Sequence, residues 1–323
     1  MKKKLMKSAA RVLGAAAAVI LIVWFAVAQP SCRRNRVSGA AADPGVLREH
    51  VETLSIRLSP RDWKHTDNLD KCADFIAQHF RKAGATVEFQ SFAVRGRQYK
   101  NVIGRFNAEN GSRVIVGAHY DACAGTPGAD DNASGVAALI ELAYLLGHNR
   151  SSGAVDLVAY VLEEPPFFGT EHMGSAVHAR SIADDKSSVK GVIVLEMVGC
   201  FRDEWGSQSY PTLFFRFMYP NRANFLGVAS RWDQGEWIQQ VKTRMKGTTD
   251  LPVYSIRAPA FLPGIDFSDH MNYWNYGIRA LMITDTAFYR NRAYHTPDDT
   301  PDKLDYSRMA KVVVSVFEAV KNL

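Results

Sequence analysis

The chain has 323 residues, of which 47% are hydrophobic and 22% charged, the composition of an ordinary globular protein able to bury a core of normal size. Its net charge of +6 misleads as a guide to partners. Eight basic residues (Lys2, Lys3, Lys4, Lys7, Arg11, Arg33, Arg34 and Arg36) lie within residues 1–36, which hold no acid, and the remainder sets 31 basic against 33 acidic residues. That balance excludes nucleic-acid binding by the body of the chain, which would need a basic patch there.

The N-terminus reads as an export leader. A basic start precedes an uncharged apolar run from Val12 to Ala28, and Ala26-Val27-Ala28 fits a small-x-small cleavage site. The run is long for a signal peptide and short for a spanning helix, which needs ~20 residues. Residues 1–28 are therefore a cleaved signal peptide or an N-terminal membrane anchor, with the domain exported, periplasmic or secreted. Arg33-Arg34-Asn35-Arg36 would hinder translocation of an uncleaved segment. Residues 29–44 form a polar, small-residue linker. The cysteines Cys32, Cys72, Cys123 and Cys200 contain no C-x-x-C pair, so a cysteine zinc site is not expected. Cys123 and Cys200 read first as packing residues, second as a disulfide pair.

The domain, residues 45–323, opens with an amphipathic helix at Gly45–Ile56. A second follows at Thr66–Ala83, with Leu69, Cys72, Ala73, Phe75, Ile76 and Phe80 at helical spacing and Gly84 as its stop. Strands are predicted at Thr86–Val94, Tyr99–Phe106 and Arg113–His119. A regular alternation then begins: helix Ala133–Leu146, strand Val155–Glu163, helix Thr170–Ile182, strand Val189–Met197. Strand Thr212–Met218, helix Glu236–Met245, strands Leu251–Ile256 and Arg279–Thr284, and helix Tyr306–Val320 complete the chain. Alternating strands and helices imply a mixed, mostly parallel sheet covered on both faces, an α/β three-layer fold.

Ligand sites in such sheets lie beyond the carboxyl ends of the strands. Here one predicted strand ends in His119-Tyr120-Asp121, another in Glu163-Glu164 and a third in Glu196. Gly128-Ala129-Asp130-Asp131-Asn132-Ala133-Ser134-Gly135 precedes a helix, and Tyr294-His295-Thr296-Pro297-Asp298-Asp299 follows the last strand and precedes the closing helix. Each piece alone is an ordinary cap, turn or strand end. Together they bring two histidines and several carboxylates to one rim. Imidazole and carboxylate are zinc ligands, and a paired site needs one shared carboxylate and a water-activating base.

On these motifs the chain resembles the co-catalytic di-zinc aminopeptidases of metallopeptidase family twenty-eight, whose wider relatives include glutamate carboxypeptidase and glutaminyl cyclase. The resemblance runs from about Asn68 to the C-terminus. It implies a phosphorylase/hydrolase-like fold and two zinc ions. Asp131 would bridge them, His119 and Glu196 would complete one site, and Glu164 and His295 the other. Glu163 would be the general base and Asp121 the acid that orients His119. The Asp131–Asn132 peptide is expected to be cis. Many members carry aspartate where this chain has Glu196, so Glu196 is read as a ligand or as an outer carboxylate.

The implied reaction is release of N-terminal residues from peptides. Phe201, Phe261, Phe267, Tyr273, Trp274, Phe288, Tyr289 and Tyr294 are candidates for an apolar pocket or for core. Asp269 is a candidate for the substrate ammonium, and Tyr273 and His270 for the oxyanion. Three alternatives stand beside this reading: a glutaminyl cyclase, a carboxypeptidase or aminoacylase using Arg202, Arg257, Arg290 or Arg292, and a non-catalytic binding ectodomain.

Overall fold

A computed structural model describes residues 2–32, 34–109, 111–149 and 153–323. Arg33 and the side chains of Lys2, Lys3, Lys4 and Lys7 lie outside the described residues.

The first element is helix α1, Lys2–Ala28. Among the described residues no helix is long and apolar enough to cross a membrane. An extended segment leads to α2, Pro44–Glu52, where the Asp43 carboxylate accepts from the Gly45 N–H and proline occupies the first turn, both standard helix starts. Helix α3, Thr66–Lys82, buries Leu69, Cys72, Ala73, Ile76, Ala77 and Phe80 on one face. Gly84 then takes φ +94°, a left-handed turn that glycine adopts without a Cβ clash.

Strands β1 (Thr86–Val94), β2 (Arg97–Phe106), β3 (Arg113–His119), β4 (Ala154–Tyr160) and β5 (Val189–Glu196) follow, with α4 (Gly135–His148) and α5 (Gly174–Ser181) between the parallel ones. Next come β6 (Leu226–Arg231), α6 (Gly235–Met245), β7 (Val253–Ala258), α7 (His270–Trp274), β8 (Ala280–Thr284) and α8 (Tyr306–Lys321). The eight strands form one sheet in the order β1-β2-β4-β3-β5-β8-β6-β7. β4, β3, β5 and β8 run parallel, as do β6 and β7, while β1, β2 and the β6–β8 junction are antiparallel. The sheet is mixed and mostly parallel, as predicted. One apolar cluster packs α2, α3, α4, α6 and α8 on one face, and a second packs α5 and α7 on the other.

β4 is buried at every position and β3 at all but its first, the continuous apolar pattern of strands covered on both sides. The four central parallel strands end at His119, Tyr160, Glu196 and Thr284, so their carboxyl ends share one edge.

Three predictions need correction. Thr212–Met218 is no strand: Leu213–Phe217 is a 3-10 turn, bounded by Pro211 and Pro220, with Leu213 73% and Phe217 88% exposed. The strand of this region is β6, where Gly227 and Ala229 dilute the apolar signal. The short helix α7 lies where no element is predicted. The helix predicted from Thr170 begins at Gly174, and the strand predicted to reach Glu163 ends at Tyr160, leaving Glu163 and Glu164 on the following loop.

Candidate active site

His119 is the last residue of β3 and is fully buried. Its Nε2 lies 3.3 Å from Asp131 Oδ1 and 3.4 Å from Glu196 Oε2, at the end of the neighbouring β5. His295 brings Nε2 to 3.1 Å from Asp131 Oδ2 and 3.2 Å from Glu164 Oε2. Asp131 thus divides its two oxygens between two imidazoles. Glu163 Oε2 stands 3.9 Å from His119 Nε2. The five candidate ligands and the candidate base that the motifs single out therefore meet in one cluster.

The backbone bends sharply to present them. Leu162, Met197 and His295 are non-glycine residues with φ of +64°, +49° and +55°, each beside or at one of these side chains. Such left-handed conformations cost ~1–3 kcal/mol apiece and persist where surroundings over-determine them. The Asp131–Asn132 peptide is cis. The Asn132 amide donates to Leu195 O at 2.8 Å, and its oxygen accepts from Met197 N at 3.0 Å and Gly135 N at 3.1 Å, tying the start of α4 to the end of β5. A Cβ at Gly135 would stand 2.3 Å from that same oxygen, which is why glycine opens α4.

Asp121 does more than face His119. Its carboxylate accepts from Glu163 N at 3.2 Å and from Glu164 N at 3.1 Å, while Oδ1 lies 3.5 Å from His119 Nδ1. One aspartate therefore fixes the imidazole and the paired-glutamate loop together.

Other residues build the site from behind the candidate ligands. Asp299 accepts from Asp130 N at 3.0 Å and Asp131 N at 3.1 Å. Ser268 donates to Glu196 Oε2 at 2.7 Å. Buried Arg61 donates to Tyr120 O at 2.9 Å and to Pro127 O at 2.5 Å, pinning the loop between His119 and Asp131. The Cys123 sulfur groups with Glu164 and His295, their ligand-capable atoms within 4.8 Å of one another. All four cysteines are free.

The electrostatics follow from this crowding. Burial, opposed by His119 and reinforced by Glu196 and Glu164, pushes Glu163 well above the usual carboxylate range. Burial also raises Glu164 to about 7, with Asp131 adding to it. Burial works against charge on both histidines, yet Glu196 and Glu163 push His119 well up, and Asp131 and Glu164 raise His295 to about 10. The carboxylates draw positive charge into the site.

Beside the cluster opens a largely apolar pocket. Phe267, Phe288, Tyr289 and Tyr294 line it, with Phe225, Met282 and Ala229, and among the described residues Glu196 is its one charged lining residue. The other aromatics named from sequence do not: Phe201, Tyr273 and Trp274 are core, and Phe261 is 86% exposed. Tyr273 bonds with Tyr160 and His178, and His270 with Ile265 O, so neither is available for an oxyanion. Asp269 is fully buried beside the cluster, where burial raises its carboxyl to about 7 and His119 opposes the rise. Arg290 is buried against Gln208, Cys200 O and Phe225 O, and Arg257 is held by Ala26 O. No arginine or lysine lines the pocket among the described residues.

Comparison with known proteins agrees with this geometry. The family model described as Peptidase family M28 matches residues 101–320. The uncharacterized protein YfbL of Escherichia coli K12 is 45% identical over 87% of this chain and 88% of its own. The chain spans about half the length of further curated relatives it matches. Among solved structures, the zinc aminopeptidase BSAP of Bacillus subtilis aligns with a TM-score of 0.69 at 16% identity, over 87% of this chain and 95% of that one. The glutaminyl cyclase of Fimbriiglobus ruber aligns with a TM-score of 0.67 at 20% identity, over 91% of this chain and 99% of that one.

Proposed function

The chain belongs to peptidase family M28, and on that premise we propose that it is an exported zinc metallo-exopeptidase of aminopeptidase type. His119, Asp131 and Glu196 would hold one ion, and Asp131, Glu164 and His295 a second. The observation that carries the reading is the division of Asp131 between His119 at 3.3 Å and His295 at 3.1 Å. Donors that lie ~2.0–2.2 Å from one tetrahedral ion stand ~3.3–3.5 Å apart. The His119 separations, 3.3 and 3.4 Å, fall within that spacing, and the His295 separations, 3.1 and 3.2 Å, lie just below it. His119 Nε2 and Glu164 Oε1 are buried with no hydrogen-bond partner, as donors reserved for a cation would be.

When bound, the ions would supply Lewis acidity toward a scissile carbonyl and toward an attacking water. The chain does the rest. Glu163, raised by burial, takes the proton from the water and returns it to the leaving amine. Asp121 holds Glu163 in place through its backbone N–H. Tyr294 stacks on His295 with ring centroids 3.8 Å apart and lines the pocket. Burial holds its phenol protonated, so it can donate to the developing oxyanion. The pocket receives the side chain of the first residue. With no cation in its wall, it offers a substrate carboxylate no partner, which favours release from the amino end.

The test is hydrolysis of free-amine aminoacyl anilides beside their N-acetylated copies, with zinc measured on the same preparation. Selective cleavage of the free-amine set, lost to chelator and restored by zinc, is expected. Cyclisation of N-terminal glutamine without anilide cleavage would replace this reading with the cyclase.

A further inference from the structure

The residues that spell a cleavage site are built into the fold. Val27 and Ala28 are buried in a cluster with Phe215 and Tyr219, and Trp24 and Met218 pack against it. The Ala26 carbonyl accepts from Arg257 Nε at 2.5 Å. The Ala28 carbonyl accepts from Ser255 Oγ at 2.8 Å and from the buried Lys242 ammonium at 3.2 Å. Gln29 donates to Gly235 O at 2.9 Å. The linker beyond is equally fixed: the Asn35 amide donates to Thr243 O at 2.7 Å and Arg244 O at 2.8 Å, satisfying carbonyls at the end of α6. Loss of residues 1–28 would take from the buried Lys242 one of the acceptors that compensate its charge.

The preceding turns of α1 are the opposite. Val19, Ile20, Leu21, Ile22, Val23 and Phe25 are exposed, at 58%, 54%, 54%, 68%, 36% and 57%. At 100° per residue, residues 19–25 cover the whole circumference of the helix. A protein groove covers one face of a helix; an apolar surface on every side calls for an apolar solvent. The 3-10 turn against the base of α1 continues that surface with exposed Leu213, Phe214 and Phe217. Basic groups border both: Arg216 lies in the turn, and Arg34 and Lys246 share a cavity with Trp24 and Met218. Apolar groups rimmed by cations suit the surface of a bilayer carrying anionic lipid.

We propose that α1 stays on the mature protein and that α1 and the Leu213–Phe217 turn together seat the domain in an anionic lipid bilayer. Phe215 and Tyr219 pack against α1 on one side and line the apolar pocket on the other, so the pocket stands beside the lipid surface. Peptides that partition into the bilayer interface would thereby be concentrated at its mouth.

The experiment uses the full chain recovered from membranes and placed in nanodiscs of phosphatidylethanolamine and phosphatidylglycerol with brominated acyl chains. Intact mass should retain residues 1–28. In Phe217→Trp, most of the emission that the substitution adds should be lost to bromine quenching, relative to discs of unbrominated lipid. A mature chain beginning at Gln29 would overturn the proposal. So would added emission that brominated lipid leaves untouched, whether the turn then faces water or, with the chain sedimenting as a dimer, a second copy. Neither readout depends on peptidase activity.

Discussion

Asp299 holds the backbone that presents Asp131: its carboxylate accepts from the Asp131 N–H at 3.1 Å and from Asp130 N at 3.0 Å. The two segments lie far apart in the chain and meet only in the fold. Asp299→Ala would leave both buried N–H groups without an acceptor, at ~1–3 kcal/mol each. Loss of such an outer partner lowers metal affinity ~10–100-fold. Zinc competition against a chelator, with thermal unfolding alongside, measures both effects. Asp299→Asn retains one acceptor oxygen and should lose less. Wild-type zinc affinity in Asp299→Ala would mean that Asp131 keeps its place without this cradle.

Glu163 and His295 should separate chemistry from metal binding. Glu163→Gln keeps the shape and removes the proton carrier. It should retain zinc and lose turnover by ~10²–10⁴-fold. His295→Ala should lower the zinc content itself, since His295 stands within 3.2 Å of both Asp131 and Glu164. Metal analysis beside kcat on the two variants distinguishes the roles. Full turnover in Glu163→Gln, or unchanged zinc in His295→Ala, would remove the assignment concerned.

The contrast between Asp131 and Asp299 also marks what sequence could reveal. His119 and Glu196 end strands, Asp131 stands just ahead of α4, and Glu164 and His295 sit on the loops that leave β4 and β8, the edge where the geometry of parallel sheets locates a site. β3 was read to the residue because a buried parallel strand is a continuous apolar run. Asp299 stands in the loop motif of His295, but its role, like those of Ser268 and Arg61, acts on groups far along the chain, and nothing local marks an acceptor for a distant N–H. Tyr273 is the converse case: its type suits a substrate site, but α7 turns it into the core. The Leu213–Phe217 turn imitated a strand because exposed aromatics and buried ones look alike in sequence.

His178 predicts an acid limb to stability. Burial, with Arg113 and Arg105 adding to it, lowers its pKa from the ordinary 6.5 to about 3. Below pH ~6.5 the unfolded chain's imidazole binds a proton that the folded one refuses until about pH 3. The unfolded state then holds more protons, so stability falls as pH drops through that window, by at most ~1.4 kcal/mol per pH unit for this group. Urea unfolding across the window should show a flatter dependence in His178→Gln. An identical slope in both proteins would mean that other groups carry the acid sensitivity.

Ala229 tests the pocket. It lies on β6, lines the cavity with Met282 and Phe225, and is 5% exposed, so a longer side chain must grow into the open space. Ala229→Ile keeps strand propensity and adds three carbons. If the pocket takes the first residue's side chain, the variant should lose kcat/KM for phenylalanyl and leucyl anilides while keeping it for alanyl anilide. A pocket discriminates by ~1–3 kcal/mol per misfitted group, so the preference ratio should shift by ~10–200-fold. The ratio is the readout because a folding defect would lower both substrates together. An unchanged ratio in a variant with wild-type thermal stability would show that the side chain binds elsewhere, with the aromatic wall of Phe267 and Phe288 left as the next surface to probe.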